Sequence, residues 1–362
     1  MTRSAPRTAL VHEWLVGWGG SESVLASFAR LFPEAPIHTL VHAPDARIRA
    51  TFAGRDIRTT WVGGLPGVGR YYRYTLPLMP EAWRHTDVGD VDLVLSSSHA
   101  FCKGVRVPDG AMHLCYCHTP PRYLWDLAEG YRREGAWGLM GPTLAWLRRK
   151  DVELAAGVDH FVANSRFVAE RIRRIYGRES TVVHPPVDVE AFPEPEGEGE
   201  YFLAGGRLVG YKRVDIAIRA ANLGRLPLVV FGDGPERKRL EAMAGPTVRF
   251  VGPVSREGLV ALIRRAKAYL FPGVEDFGIL PVEAQAGGRP VIAFAGGGVL
   301  ETVIHGRTGI LLPEATPDAF LGGIEQLASL GDAPTACRSN AARFGRARFE
   351  AEISELVAQA IG

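Results

Sequence analysis

Cysteine is rare in this chain of 362 residues. Cys102, Cys115, Cys117 and Cys337 are too few to staple a fold of this size, which points to a reducing compartment. Long apolar runs are missing as well. None reaches the roughly 18 residues that a membrane-spanning helix needs, and Met1–Leu10 has no signal-peptide core. Charge of one sign is not in excess: 42 basic and 40 acidic residues leave a net +2, which argues against a dedicated nucleic-acid binder. Lysine is scarce, five against 37 arginines. Such a bias commonly follows genomic composition; its chemical reading is bidentate contact with phosphates or acidic head groups. Neither G-x-G-x-x-G nor the P-loop pattern occurs, which weakens a dehydrogenase or NTPase reading.

What is present is a globular composition, 46% hydrophobic and 9% aromatic, at a length that predicts two domains with a core each. In the first half, short apolar strands at Thr8–His12, Ile37–Val41, Leu93–Ser96, Ala111–Cys117, His160–Ala163 and Ser180–His184 alternate with helical patterns, among them Glu22–Phe32 and Thr143–Ala156. A proline-, glycine- and acid-rich stretch from His184 to Glu200 reads as a linker. A second series follows at Tyr201–Ala204, Leu228–Phe231, Val248–Val251, Ala268–Phe271, Pro290–Ala293 and Gly309–Leu312, and the chain closes with a helix over Arg346–Ala360. Strands alternating with helices indicate parallel sheets covered on both faces, hence an α/β protein of two doubly wound domains. Ligands of such folds sit at the carboxyl ends of strands, so a cleft between the domains is the expected site.

Four glycine turns follow predicted strands: Gly17–Gly20, Gly205-Gly206, Gly232–Gly234 and Gly296–Gly298. Glycine lets backbone N–H groups approach an anion, which the positive start of the next helix favours. Gly206–Arg213 puts Arg207 at a strand end and Lys212 near a helix start, where two cations can converge on a diphosphate. Phe271–Ala284 adds Gly278 for a tight turn, the N–H groups of Ile279 and Leu280 ahead of Pro281, and the carboxylates of Glu275 and Glu283. Without a metal, carboxylates beside a diphosphate suit hydroxyl groups, such as those of a sugar and a ribose. Taken singly, these are surface charges and a first-turn acid complementing the helix dipole.

The Glu275–Glu283 spacing, the Gly206-Arg207 to Lys212 stretch and the Trp18–Gly20 turn resemble retaining glycosyltransferases of family 4, which have the GT-B fold. Leu10–Leu15, Tyr116–Asp126 and Glu275–Ala284 are most similar to bacterial mannosyltransferases of O-antigen and exopolysaccharide assembly. The resemblance implies two Rossmann-like domains facing across a cleft, at 1–190 and 200–345, with the helix at about 346–362 packing back on the first. It also implies a nucleotide-sugar donor, with GDP-mannose favoured, no metal or other cofactor, and a glycan or polyprenyl-linked saccharide acceptor. Arg207 and Lys212 would hold the diphosphate, with Gly19 and Gly20 approaching it from the first domain. Glu275 would hold hydroxyls of the transferred sugar, and Glu283 the ribose diol. His118 would lie near the reacting sugar, the base would pack near Val254, and Gly278, Ile279 and Leu280 would line the anion. His118, Glu275, Arg207 and Lys212 make up the implied catalytic set, in a protein of the cytoplasm or the inner face of its membrane. Alternatives are a donor among UDP-sugars, a 2-epimerase on the same fold, and a partner subunit that binds the nucleotide sugar without turning it over.

Other stretches read less sharply. Cys115, Cys117 and His118 lack a second pair at zinc spacing, so the two cysteines read as buried strand thiols. Leu65–Pro80 interleaves aromatics with Arg70 and Arg73 and reads as a buried loop or as an acceptor or membrane contact. Asn164–Arg178, rich in arginine, reads as a solvated helix face, and Trp137, Trp146 and Arg148–Lys150 as a further contact patch.

Overall fold

Every residue of Thr8–His12 (β1) is buried, as a parallel strand flanked by helices on both faces requires. Around it, in a computed structural model that describes residues 6–126 and 141–361, the chain builds two units. The first runs to Pro186 and takes in Phe349 onward; the second is Val187–Arg348. Trp137 lies outside the described residues.

The first unit holds β1 with Ile37–Thr39 (β2), Ile57–Thr59 (β3), Leu93–Ser98 (β4), Met112–Cys117 (β5), His160–Ala163 (β6) and Ser180–Val182 (β7). Their order across the sheet is β3-β2-β1-β4-β5-β6-β7, parallel throughout. The second unit holds Tyr201–Gly205 (β8), Leu228–Phe231 (β9), Val248–Gly252 (β10), Ala266–Phe271 (β11), Val291–Phe294 (β12) and Gly309–Leu312 (β13). Its order, β10-β9-β8-β11-β12-β13, repeats the same winding, again parallel. Each sheet therefore reverses its winding once, between β1 and β4 and between β8 and β11, and a doubly wound sheet binds its ligand outside the strand ends at that reversal. These are two Rossmann-like α/β units, the GT-B architecture.

Three readings of the sequence are corrected by the packing. Residues 187–200 are not a free linker: Val187 and Phe192 are buried in the second core, and the Arg256 guanidinium lies 4.5 Å from the Phe192 ring centre. The Arg166–Tyr176 helix is not simply a solvated basic face. Arg171 is buried, pairs with Asp126 and donates to Thr119 Oγ1 at 2.7 Å; Arg174 reaches Asp126 at 2.7 Å. Third, the strands read from the first half omit β3; at three residues, two of them exposed, it carries no apolar run to reveal it.

The closing helix, Arg346–Ile361, completes the first core: Phe349, Ile353 and Val357 are buried with Leu10, Phe28 and Tyr116. In the Leu65–Pro80 stretch, Tyr72, Leu76 and Met79 enter another part of that core, whereas Tyr74 is 85% exposed. All four cysteines are buried thiols. Among the described residues no helix is long and apolar enough to cross a membrane.

Candidate functional site

In the second unit the site grows from the end of β8. Gly205 and Gly206 have φ of +143° and +106°, a region closed to side-chain-bearing residues, so only glycine carries the chain out of the strand here. Tyr269 Oη on β11 donates to Gly205 O at 3.1 Å. The chain then makes one tight turn, Gly210–Lys212, ended by Arg213 in the left-handed region at φ +52°. That turn lies on Gly273, where a Cβ would stand 2.7 Å from Lys212 Cα. Gly273 follows no pattern that singles it out, yet it lets the lysine turn sit against the β11 exit.

Lys212 reaches back over Gly206, its Nζ 3.2 Å from where a Cβ of Gly206 would be, and lies 2.7 Å from Glu275 Oε1. The two form an ion pair off hydrogen-bonding angles, since Glu275 Oε1 has no hydrogen-bond partner among the described residues. Glu275 is itself held by the fourth glycine turn: Gly298 N–H donates to Glu275 O at 2.9 Å, and a Cβ at Gly297 would fall 2.4 Å from that oxygen. The third turn plays the same part for β8, a Cβ at Gly232 falling 1.8 Å from Gly206 O. Both turns, expected as anion cradles, are thus accounted for by close backbone packing that fixes the loops of Gly206 and Glu275.

Gly278, at φ +85°, starts the helix Ile279–Ala286 without a side-chain cap. The first N–H groups of a helix have no acceptor within it, so Ile279 and Leu280 present donors there. Leu280 flanks Gly206, its Cδ1 3.0 Å from the site of that glycine's absent Cβ. A cation, a carboxylate, a bare glycine backbone and an uncapped helix start therefore meet at the reversal between β8 and β11. Arg207 is exposed at the same strand end, with no side-chain partner among the described residues. Glu283 is buried one turn into the helix and pairs with Arg256, whose other arm donates to Asp188 O at 3.2 Å. Val254 is half-buried two residues before Arg256. Arg256 was not foreseen, because nothing in a separation of 27 residues announces an ion pair.

In the first unit the reversal between β1 and β4 is lined by polar groups. His12 and Ser97 are register partners there; His12 Nδ1 lies 3.1 Å from Ser97 Oγ, and His12 Nε2 lies 3.3 Å from Glu22 Oε1. Ser97 Oγ also meets His118 Nε2 at 2.8 Å, just past the end of β5. Glu22 Oε2 accepts from Gly19 N–H at 2.7 Å and from Ser21 Oγ at 3.0 Å, closing the start of the helix Gly20–Leu31. Gly19 therefore offers its N–H to Glu22, while Gly20 opens the helix, where an N–H has no acceptor within the helix itself. Glu13 Oε1 accepts from Ser98 Oγ at 3.0 Å and from the N–H groups of Ala100 and Cys102 at 2.7 and 3.0 Å, fixing the loop that carries His99.

Burial, reinforced by the nearby His99 and His12, holds the His118 imidazole well below its ordinary pKa, so it is neutral at pH 7. Burial also lowers His99. Desolvation pushes Glu22 upward, but the hydrogen bond from His12, the neighbouring imidazoles and a backbone N–H outweigh this and hold its carboxyl below the usual value. Among the described residues no group of three or more His, Cys, Asp or Glu is arranged to hold a metal ion.

Comparison with known proteins bears on both units. Residues 18–191 match the family model described as Glycosyltransferase Family 4, and residues 186–344 the one described as Glycosyl transferases group 1. A D-inositol 3-phosphate glycosyltransferase of Streptomyces avermitilis is 30% identical over 257 residues, covering 61% of this chain and 52% of its own. The D-rhamnosyltransferase WbpZ of Pseudomonas aeruginosa is 31% identical over 183 residues, covering 45% and 48%. The chain thus spans about half the length of the curated relatives it matches. Among solved structures, Anabaena HepE in complex with UDP and glucose superposes with a TM-score of 0.72 at 18% identity, over 98% of this chain and 100% of that one.

Proposed function

We propose that this chain, a GT-B protein of the group 1, family 4-like glycosyltransferases, transfers a hexose from a nucleotide sugar to a glycan or lipid-linked saccharide acceptor. Transfer proceeds with retention and without a metal ion. The observation that carries this reading is the meeting of Lys212 and Glu275 over Gly206, beside the uncapped start of the Ile279–Ala286 helix.

The chemistry follows from those groups. A diphosphate leaving group gains negative charge as the bond to the sugar breaks. The Lys212 ammonium, the Arg207 guanidinium and the N–H groups of Ile279 and Leu280 are placed to take up that charge, from positions fixed in advance by the glycine contacts. Glu275, already balanced by Lys212, can accept from sugar hydroxyls without adding net charge. Glu283, balanced by Arg256, is the partner for the ribose diol. His118, neutral, serves the sugar as a hydrogen-bonding group and not as a cation.

GDP-mannose is the donor we favour, from the likeness of Leu10–Leu15, Tyr116–Asp126 and Glu275–Ala284 to mannosyltransferases. A UDP-sugar is the second reading, supported by the UDP and glucose bound to HepE. A thermal-shift panel of GDP-mannose, UDP-glucose, UDP-GlcNAc and the free nucleotides, with and without EDTA, separates them, because selective binding raises the melting point. A GDP-mannose response indifferent to EDTA supports the first donor, and a UDP-sugar response replaces it. Binding with no donor hydrolysis or transfer leaves a partner subunit that binds without turnover.

A further inference from the structure

We infer that Glu22, His12 and Ser97 form a positioning chain that holds His118 as its Nε2–H tautomer and leaves its Nδ1 bare to accept a hydrogen bond from a substrate hydroxyl. The last step rests on the transferase reading above; the tautomer itself does not.

The direction of every proton follows from the end of the chain that can only accept. Ionised Glu22 has no proton to give, so across the 3.3 Å contact His12 Nε2–H must be the donor. We take His12 as a neutral ring, whose Nδ1 then carries only a lone pair, so that across 3.1 Å the Ser97 hydroxyl donates to it. A hydroxyl has one proton. Having given it to His12, Ser97 Oγ can only accept, so across 2.8 Å His118 Nε2 must carry a hydrogen. A neutral imidazole bears one N–H, which leaves His118 Nδ1 with a free lone pair and no protein partner among the described residues. His12 and Ser97 are fully buried and Glu22 is 3% exposed, so water is in no position to replace any link.

The chain also reaches the glycine turn. The carboxylate that orients His12 accepts from Gly19 N–H at 2.7 Å through its other oxygen. One buried side chain thus fixes both the turn before the Gly20–Leu31 helix and the proton on His118. The opposite polarity has one source, an imidazolium at His12, which would donate to Ser97 and reverse every link down to His118.

The test is the tautomer, read by nitrogen NMR on the full chain labelled with ¹⁵N-histidine, His118 being assigned by the signals that vanish in His118→Gln. The expected spectrum shows Nε2 protonated and Nδ1 bare; the reverse pattern overturns the proposal. In Ser97→Ala the two tautomers should mix while the melting point stays near that of the parent, whereas an unchanged single tautomer overturns the chain. If Ser97→Ala does not fold, Glu22→Gln gives the same readout, since an amide can offer His12 a donor where a carboxylate cannot. Given transfer activity, Ser97→Ala should lower kcat about three- to tenfold, the size of one hydrogen bond, at nearly constant donor KM. A loss confined to KM counts against a positioning role. If the tautomer is as expected but no nucleotide sugar is turned over, the transferase reading fails and the chain stands.

Discussion

Lys212 Nζ and Glu275 Oε1 stand 2.7 Å apart, brought together from the exits of β8 and β11 over a glycine that leaves the ammonium room. The pair keeps both charges at the strand ends in the absence of ligand, and the two partners have different tasks. Lys212→Ala should weaken nucleoside diphosphate binding roughly 10- to 100-fold, the scale of a charged hydrogen bond. Glu275→Gln should leave that affinity unchanged or improved, because it removes a competing anion, while transfer falls at least as far. Titration calorimetry with the free diphosphate, beside initial rates, distinguishes the two; equal loss of binding in both variants would remove the sugar-contact role of Glu275.

Gly232→Ala tests the backbone packing under the site. The new methyl would meet Gly206 O at a position now 1.8 Å away, in a residue at φ +102°. A cost of about 3 kcal/mol or more, with loss of diphosphate binding, is expected. Gly177→Ala, at φ +64° but with open space around it, should cost only about 1 kcal/mol in urea denaturation.

Acid should loosen the first unit before it titrates the carboxylates. Burial lowers His38 and His113 from 6.5 to about 4, with Arg58 adding to the effect at His38. Above pH 6.5 both are neutral whether the chain is folded or not, and their contribution is fully present. Below 6.5 the unfolded chain takes up protons that the folded one refuses, so stability falls as the pH drops towards about 4. Urea midpoints across that window should decline and His113→Gln should flatten the slope; a level profile would contradict the burial of these rings.

Phe349→Ala should destabilise the first unit by about 3–5 kcal/mol, the usual cost of emptying an aromatic site in a core. Its ring is fully buried, with centroids 5.9 Å from Phe28 and 5.6 Å from Tyr116. Chemical denaturation followed separately in each unit should show the first transition moving and the second holding still.

The legible part of this protein was what repeats along the chain. Apolar runs such as Leu228–Phe231 and Gly309–Leu312 coincide with strands β9 and β13 end to end, because a doubly buried parallel strand has nowhere to put a polar residue. Gly205, Gly206 and Gly278 were legible as turns for a related reason, since their backbone angles exclude other residues. What the pattern hid was set by crossover. His12 and Ser97 face each other only because β1 and β4 are neighbours, and Arg256 finds Glu283 only once β10 and β11 have been laid down. The trace that could have been followed is polarity inside apolar strands: His12-Glu13 at the exit of β1 and the serines that end β4 are out of place unless they face a site.

The return of the closing helix has a consequence for how the protein is made. The core that begins with Leu10 is completed by Phe349, Ile353 and Val357, so the half that leaves the ribosome first is the half that must wait longest. Until Phe349, Ile353 and Val357 have been made, the faces of Phe28 and Tyr116 have no permanent cover, while Val187–Arg348 already holds every residue of its own core. Synthesis that stops short of Phe349 yields a finished second half attached to an unfinished first.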